Sequence, residues 1–202
     1  MNRKCKISII CAASIILNIV TTFFFHDILK IPLFFDTIFT VAVVFYLGLI
    51  PGLAVGILFN IFETTCTYYF RGVYSPTNAL FAICGAGIVI STWFFARKKD
   101  EFHLSISITI LYLLLIALIS SFFTIFIGGT IDFIRYTYFE IPDSMAPIKK
   151  FTEGFVSQRF SLFTSCILGQ IPISITDRLI TTFAGYGVYK LFVKLLGPGE
   201  EL

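Results

Sequence analysis

The chain has 202 residues, of which 57% are hydrophobic and only 13% are charged, and its net charge is +3. Soluble domains carry about 25% charged residues, so this composition excludes an ordinary soluble protein. No lysine- or arginine-rich tract alternates with aromatic residues, which argues against nucleic-acid binding. The composition therefore predicts an integral membrane protein in contact with the lipid bilayer.

Long uncharged runs show which kind of membrane protein to expect. No charged residue occurs in 37–62 or in 104–131. Strands of a membrane barrel would instead alternate polar and apolar residues over segments of about 10 residues. The runs predict an all-α, polytopic membrane helix bundle that forms a single domain.

Six transmembrane helices are predicted from a ruler of about 20 residues per crossing. They lie near 7–25, 33–50, 52–70, 78–95, 104–128 and 174–196. Residues 33–70 form one apolar stretch that is too long for a single crossing, and Pro51-Gly52 predicts its break. The first run lacks a small-residue cleavage pattern at its end, so we expect it to be retained as a span.

The distribution of basic residues predicts the orientation, because short cytoplasmic loops are enriched in lysine and arginine. Both termini are predicted to be cytoplasmic, which places these basic residues inside: Arg3, Lys4, Lys6, Arg97, Lys98, Lys99, Lys190 and Lys194. The long segment 129–173 would carry further basic residues outside. We expect this segment to form an external lid; a re-entrant piece, or the start of one long bent final helix, remains open.

The third predicted span carries a stripe of small and polar residues on one helical face. Gly52, Gly56, Asn60, Glu63 and Thr67 follow one another at spacings of three or four. The small residues Gly48, Gly52 and Gly56 are expected to serve close helix packing. Asn60 is expected near the middle of the membrane and Glu63 in its outer half, where a polar group in hydrocarbon indicates a site. We predict that they bind substrate, although a purely structural partner for Glu63 is the alternative.

Polar residues at the outer ends of other spans are further substrate-binding candidates. Asp36, with Thr40 just inside the second span, could cap that helix or bind a ligand. Asn78 has the same two interpretations at the fourth span. Asp177 and Arg178 begin the last span, where a salt bridge, a cap or a ligand contact would each explain them. Adjacent side chains point roughly 100° apart on a helix, so we expect these two to have different partners.

Motifs of catalysis are missing. The chain has two histidines and five cysteines, with no CxxC, HExxH, GxSxG or phosphate-binding loop. We therefore expect no catalytic residues, no metal and no cofactor, and we interpret the chain as a non-enzyme.

Two stretches resemble the substrate-binding S components of energy-coupling-factor (ECF) transporters. One is FFDTIFT (34–40) followed by FYLGLIPGLAVGILFN (45–60); the other is the final helix, which opens Asp177-Arg178-Leu179-Ile180 and runs to Lys190. The resemblance implies a small bacterial protein of the cytoplasmic membrane that captures a vitamin-like micronutrient from outside. It also implies a pocket in the outer halves of the helices and delivery to a transmembrane coupling subunit with an ATPase pair.

The family's docking motif, a pair of alanines four residues apart in the first helix, has only an approximate counterpart here. Ser8, Ala12 and Ala13 stand nearest to it, and packing within the bundle is the alternative. The leading alternative function is a membrane sensor module related to the transmembrane domains of histidine-kinase receptors. We favour it less because no signalling domain follows Leu196. The identity of the substrate does not follow from the sequence.

Overall fold

The computed structural model describes residues 3–72, 76–103, 105–139 and 146–199. All regular secondary structure in these ranges is helical, so the predicted all-α bundle is confirmed. The helices are α1 (Arg3–Phe23, extended by a π-helical turn Phe24–Ile28), α2 (Ile38–Leu47), α3 (Leu49–Arg71), α4 (Ala82–Ala96), α5 (Ile106–Tyr138), α6 (Ala146–Ser157) and α7 (Leu162–Leu196). Short 3-10 helices at Pro76–Phe81 and Lys99–His103 precede α4 and α5.

The molecule is a multi-pass membrane protein. Within the described ranges, five helical segments are long and apolar enough to cross a membrane: Arg3–Ile28, Leu49–Phe70, Pro76–Ala96, Ile106–Tyr138 and Leu162–Leu196. Large apolar side chains such as Ile16, Leu118 and Phe122 lie exposed on the outside, as contact with lipid requires. Six crossings, and the orientation of the bundle, stay predictions.

The second helix is shorter than the predicted span 33–50 and lies in the centre of the bundle. Its 10 residues span about 15 Å, half of a hydrocarbon core. Residues Thr40 to Leu47 are all buried, as expected for a helix that is apolar on every side. Its first turn is capped by α1, since Asn18 Oδ1 accepts from the backbone N–H of Phe39 (3.0 Å) and Asn18 Nδ2 donates to Thr40 Oγ1 (2.9 Å).

The turn between α2 and α3 lies at Gly48 and not at the predicted Pro51-Gly52. Gly48 has φ +88°, which favours glycine, and α3 begins at Leu49. Pro51 stands in the first turn of α3, where a helix tolerates proline because that N–H has no partner within the helix. Gly48 thus makes a turn, whereas Gly52 and Gly56 make the predicted close packing.

The fifth and last helices both extend further than predicted. Helix α5 continues past 128 to Tyr138, and α7 begins at Leu162 and includes Pro172. The charges of Asp132 and Arg135 fit inside α5 because they pair with each other one turn apart. Most of the segment 129–173 that was predicted as a lid is therefore helix of α5 and α7. Helix α6 lies between them, and residues 140–145 of the predicted lid are outside the described ranges.

The bundle has two distinct ends. At the termini end, Lys6 Nζ donates to the carbonyl oxygen of Leu196 (3.0 Å) and Tyr46 OH donates to that of Gly197 (3.2 Å). The opposite end, which we call the pocket end, gathers the last turns of α1, α3 and α5 with the first turns of α2, α4 and α7. The linker 29–37 and helix α6 also lie there, because Ile148 of α6 packs with Phe34 of the linker.

We expect Gly85→Ala to destabilise the protein. A Cβ at Gly85 would lie 2.9 Å from the carbonyl oxygen of Gly56, so α3 and α4 would have to separate. Overpacking of this kind typically costs about 1–3 kcal/mol. Gly187→Ala is the matched control, because its Cβ would meet nothing within 4 Å and both changes bring the same helix propensity. Thermal unfolding in detergent measures both; a Gly85 variant as stable as the Gly187 variant would contradict the packing.

Candidate functional site

A non-helical linker between α1 and α2 forms part of the site. Residues 29–37 contain no helix, and Phe35 is buried with φ +51°. Such backbone at membrane depth must find hydrogen-bond partners inside the protein. Asp177 of α7 provides them, since its Oδ1 accepts from the N–H of Phe34 (2.8 Å) and of Phe35 (2.9 Å). The linker is thereby fixed against the last helix.

Arg178 is buried beside this anchor and binds three side chains. Nη1 donates to Thr37 Oγ1 (2.7 Å), and Nη2 donates to Asp36 Oδ1 (2.7 Å) and to Asp177 Oδ2. The expectation that Asp177 and Arg178 have different partners is wrong, because the long arginine side chain reaches back to its neighbour. Asp36 is also not a cap: α2 begins after Thr37, which makes no side-chain capping bond, and Asp36 instead pairs with Arg178.

A second buried arginine, Arg135 of α5, joins three elements. Nε donates to Thr77 Oγ1 (2.8 Å) and Nη2 to Asn78 Oδ1 (2.6 Å), both on the 3-10 helix before α4. Nη1 lies 3.4 Å from Asp132 Oδ1, and Asp132 Oδ2 accepts from Gln170 Nε2 of α7 at 2.6 Å. Asn78 does not cap α4, which begins at Ala82. Pairing of this kind is what a charge inside a membrane bundle requires.

The polar stripe of α3 divides as the sequence predicts. Gly52 and Gly56 pack against α2 and α4, where added Cβ atoms would crowd Val44 and Val89. One turn further, Asn60 Nδ2 donates to the carbonyl oxygen of Gly56 (2.8 Å). Glu63 Oε1 accepts from Thr67 Oγ1 (2.8 Å). The upper part of the stripe therefore presents an amide and a carboxylate to the interior.

These groups surround a cavity of about 120 Å³ at the pocket end. It is lined by Thr22, His26, Leu33, Phe34, Asp36, Thr37, Phe59, Asn60, Glu63, Asn78, Phe81, Cys84, Gly85, Ile88, Thr124, Arg135, Gln170 and Arg178. Its walls come from α1 with its π-helical turn, α3, α4, α5 and α7, together with the linker 29–37 and the 3-10 helix before α4; no described residue of α2 or α6 lines it. The lining combines aromatic surface with a few convergent polar groups, the usual character of a small-molecule site.

Four of the six predicted substrate-binding residues line this cavity, namely Asp36, Asn60, Glu63 and Asn78. Their contact with a substrate stays a prediction. Asp177 and Thr40 do not line it. Asp177 is fully buried behind the wall, where it accepts hydrogen bonds from the linker backbone. The hydroxyl of Thr40 accepts a hydrogen bond from Asn18 Nδ2. Their contribution is to position the wall.

Sequence reasoning missed several cavity residues on α1, α5 and α7. Arg135 and Gln170 were assigned to an external lid because helix ends were placed at 128 and 174. The spacing of Asp132 and Arg135, one turn apart after a long apolar run, is the signal that could have extended α5. No sequence signal distinguishes Thr22 or Thr124 from other threonines of apolar helices.

The described residues contain no group of three His, Cys, Asp or Glu side chains placed to hold a metal ion. The five cysteines are free thiols on separate parts of the bundle. What the cavity offers is hydrogen bonding, carboxylate charge and aromatic surface. This chemistry suits reversible binding of a small polar molecule.

Comparison with protein-family models, curated proteins and solved structures found no significant match. The resemblance to S components therefore depends on the residues quoted for it. Function must be argued from the cavity and its surroundings.

We expect Asp177→Ala to destabilise the bundle strongly. The change leaves two backbone N–H groups without an acceptor and Arg178 without one of its carboxylates, and breaking a buried pair costs about 3–5 kcal/mol. Glu153→Ala is the control, since Glu153 is exposed on α6 and its ion pair with Lys149 is a surface contact. Unfolding followed by tryptophan fluorescence or circular dichroism compares them. An Asp177 variant as stable as the Glu153 variant would remove Asp177 as the anchor of the linker.

Proposed function

We propose that this protein is the substrate-capture subunit of an ECF-type importer in the bacterial cytoplasmic membrane. It binds a vitamin-like micronutrient from outside and delivers it to a transmembrane coupling subunit driven by an ATPase pair. The observation that carries the proposal is the cavity, in which costly polar groups from separate helices converge on one end of the bundle. A solute that replaces water there gains their hydrogen bonds.

The linker contributes apolar side chains to the cavity wall. Linker residues Leu33 and Phe34 line the cavity, and both pack against the cluster formed by Ile148 of α6 and Ile173 of α7. Helix α6 is amphipathic, with Ile148 and Thr152 buried and Lys150 exposed. No described residue of α6 lines the cavity, and Thr152 packs closely on Gly169 of α7. In the proposed cycle, the side chains of Leu33 and Phe34 move to admit the solute while the linker backbone stays anchored to Asp177.

The distribution of basic residues supports an external position of the pocket end. Lys4, Lys6, Lys190 and Lys194 lie on the turns of α1 and α7 at the termini end. If that end is cytoplasmic, as the enrichment of basic residues on the inner side favours, then the cavity opens toward the exterior. A capture subunit requires this arrangement.

Helix α1 offers a surface for the coupling subunit. Ser8, Ala12 and Ala13 are exposed on its outer face, so they do not serve packing within this bundle. Small residues on a lipid-facing helix allow a second helix to approach closely. This face supports docking of a partner inside the membrane.

Capture predicts that gently purified protein retains a small molecule that native mass spectrometry detects. We expect Glu63→Gln to reduce its affinity by about tenfold or more, because a hydrogen bond to a charged group is lost. The unfolding temperature should stay unchanged. Glu153→Gln, on the exposed side of α6, is the matched control. Unchanged affinity in the Glu63 variant would remove this carboxylate from the site.

Docking predicts co-purification with a coupling subunit and its ATPase pair. We expect Ala12→Phe to abolish co-purification, because a bulky side chain prevents close helix approach. Solute retention by the isolated chain should persist. Leu118→Phe, on the exposed face of α5, is the control for a bulky lipid-facing substitution. If the Ala12 variant still recovers the ATPases, α1 is not the docking face; chemical turnover by the isolated chain would instead favour an enzyme.

A further inference from the structure

Carboxylates outnumber guanidinium groups in the charged cluster around Arg178. Arg178 is one guanidinium between two carboxylates, those of Asp36 and Asp177. Asp177 is fully buried and accepts from two backbone N–H groups besides Arg178, so both of its carboxylate oxygens are occupied. The remaining partner, Asp36, is therefore only partly compensated. With both carboxylates ionised, the net charge of Asp36, Asp177 and Arg178 together is −1.

The uncompensated side of the triad lies at the cavity. Asp36 lines it with 25% of its side chain exposed, and its Oδ1 accepts from Arg178. Among the described residues, no donor binds its second oxygen, Oδ2. Asn60, which is 9% exposed, lines the same cavity. Its Nδ2 donates to the carbonyl oxygen of Gly56 within its own helix, and its Oδ1 has no donor in the described ranges. Two acceptors are thus left for a ligand.

The arginines do not offer a matching site for an anion. Nε, Nη1 and Nη2 of Arg135 each donate to a protein side chain, and both Nη atoms of Arg178 do the same. Nε of Arg178 has no partner but is itself buried. These two guanidinium groups pair with three carboxylates, those of Asp36, Asp132 and Asp177, so they leave no net positive charge to attract a carboxylate or phosphate.

The rest of the wall favours an organic ligand of small size. Phe34 and Phe59 line the cavity, and a ring face attracts a cation. Phe81 is already covered by Arg135, at 4.8 Å from the ring centre. The cavity measures about 120 Å³. This is comparable to the cavity of about 150 Å³ that accommodates benzene in another protein, so the ligand has about the size of one ring.

We infer that the solute bound here is a compact organic cation with N–H donors, recognised by Asp36 Oδ2 and Asn60 Oδ1 beside aromatic surface. The inference rests on the proposed function, because it names the chemical class captured by the same cavity. Its test concerns binding by the isolated protein and does not involve transport.

Three probes of similar size separate the possibilities. Protonated 4-aminopyridine is a planar cation with N–H donors, aniline has the same shape without the charge, and 2-furoate is an anion. Calorimetric titration of the full-length protein in detergent should show 4-aminopyridine binding about tenfold tighter than aniline, as charge-assisted hydrogen bonds require. No binding of 2-furoate is expected. Equal affinity for 4-aminopyridine and aniline, tighter binding of the anion, or no binding of any probe would overturn the inference.

Two variants locate the effect. Asp36→Asn should reduce the preference for the cation over aniline, with Glu63 left as a carboxylate of the wall, and Asn60→Leu should weaken binding of the cation while Asp36 stays in place. Asp100→Asn, exposed before α5, should leave all affinities unchanged. A cation preference that is unchanged in both cavity variants would also overturn the assignment. If these titrations contradict the cation preference, the proposal that the protein captures a solute still stands. If the ATPases do not co-purify and no solute is retained, the importer is rejected, but the charge preference of the cavity is not decided.

Discussion

The structure depends on the need to satisfy non-helical backbone inside a membrane bundle. The linker 29–37 interrupts the helices at the pocket end, and the N–H groups of Phe34 and Phe35 need acceptors there because no helix provides them. One carboxylate, Asp177, accepts two of them and is held in turn by Arg178. A negative charge at this depth is stable only with such partners. The position of the linker, and hence the wall of the cavity, follows from this arrangement.

The groups that solve this folding problem also give the cavity its chemistry. Arg178 satisfies Asp177 on one side and leaves Asp36 partly compensated on the other. Arg135 performs a similar task at the opposite wall, where it joins α5 to the 3-10 helix before α4 and orients Asn78. Buried ion pairs are weak sources of stability but strong constraints on geometry. Here they define which polar atoms remain available to a solute.

Close packing directly beneath the cavity, on the side of the termini, keeps it confined. Gly56 and Gly85 bring α3 and α4 into backbone contact, and Gly52 accepts the side chain of Val44 from α2. The short α2 fills the centre with apolar side chains up to Thr40. Space opens only above this level, where α2 has ended and the linker begins. The proposed capture function depends on this division between a packed half and a polar half.

The sequence alone determined the fold class and the polar stripe of α3, because hydropathy and helical periodicity are local properties that lipid enforces directly. It also identified Asp36, Asn60, Glu63 and Asn78 as polar groups at membrane depth, all of which line the cavity. Only the tertiary structure decided how they are partnered. Asp177 turned out to be an anchor behind the wall and Arg135 a member of the wall, since pairing of buried charges depends on which helices become neighbours. Contacts between residues more than a hundred positions apart, such as Phe35 with Asp177, leave no local pattern from which they could be read.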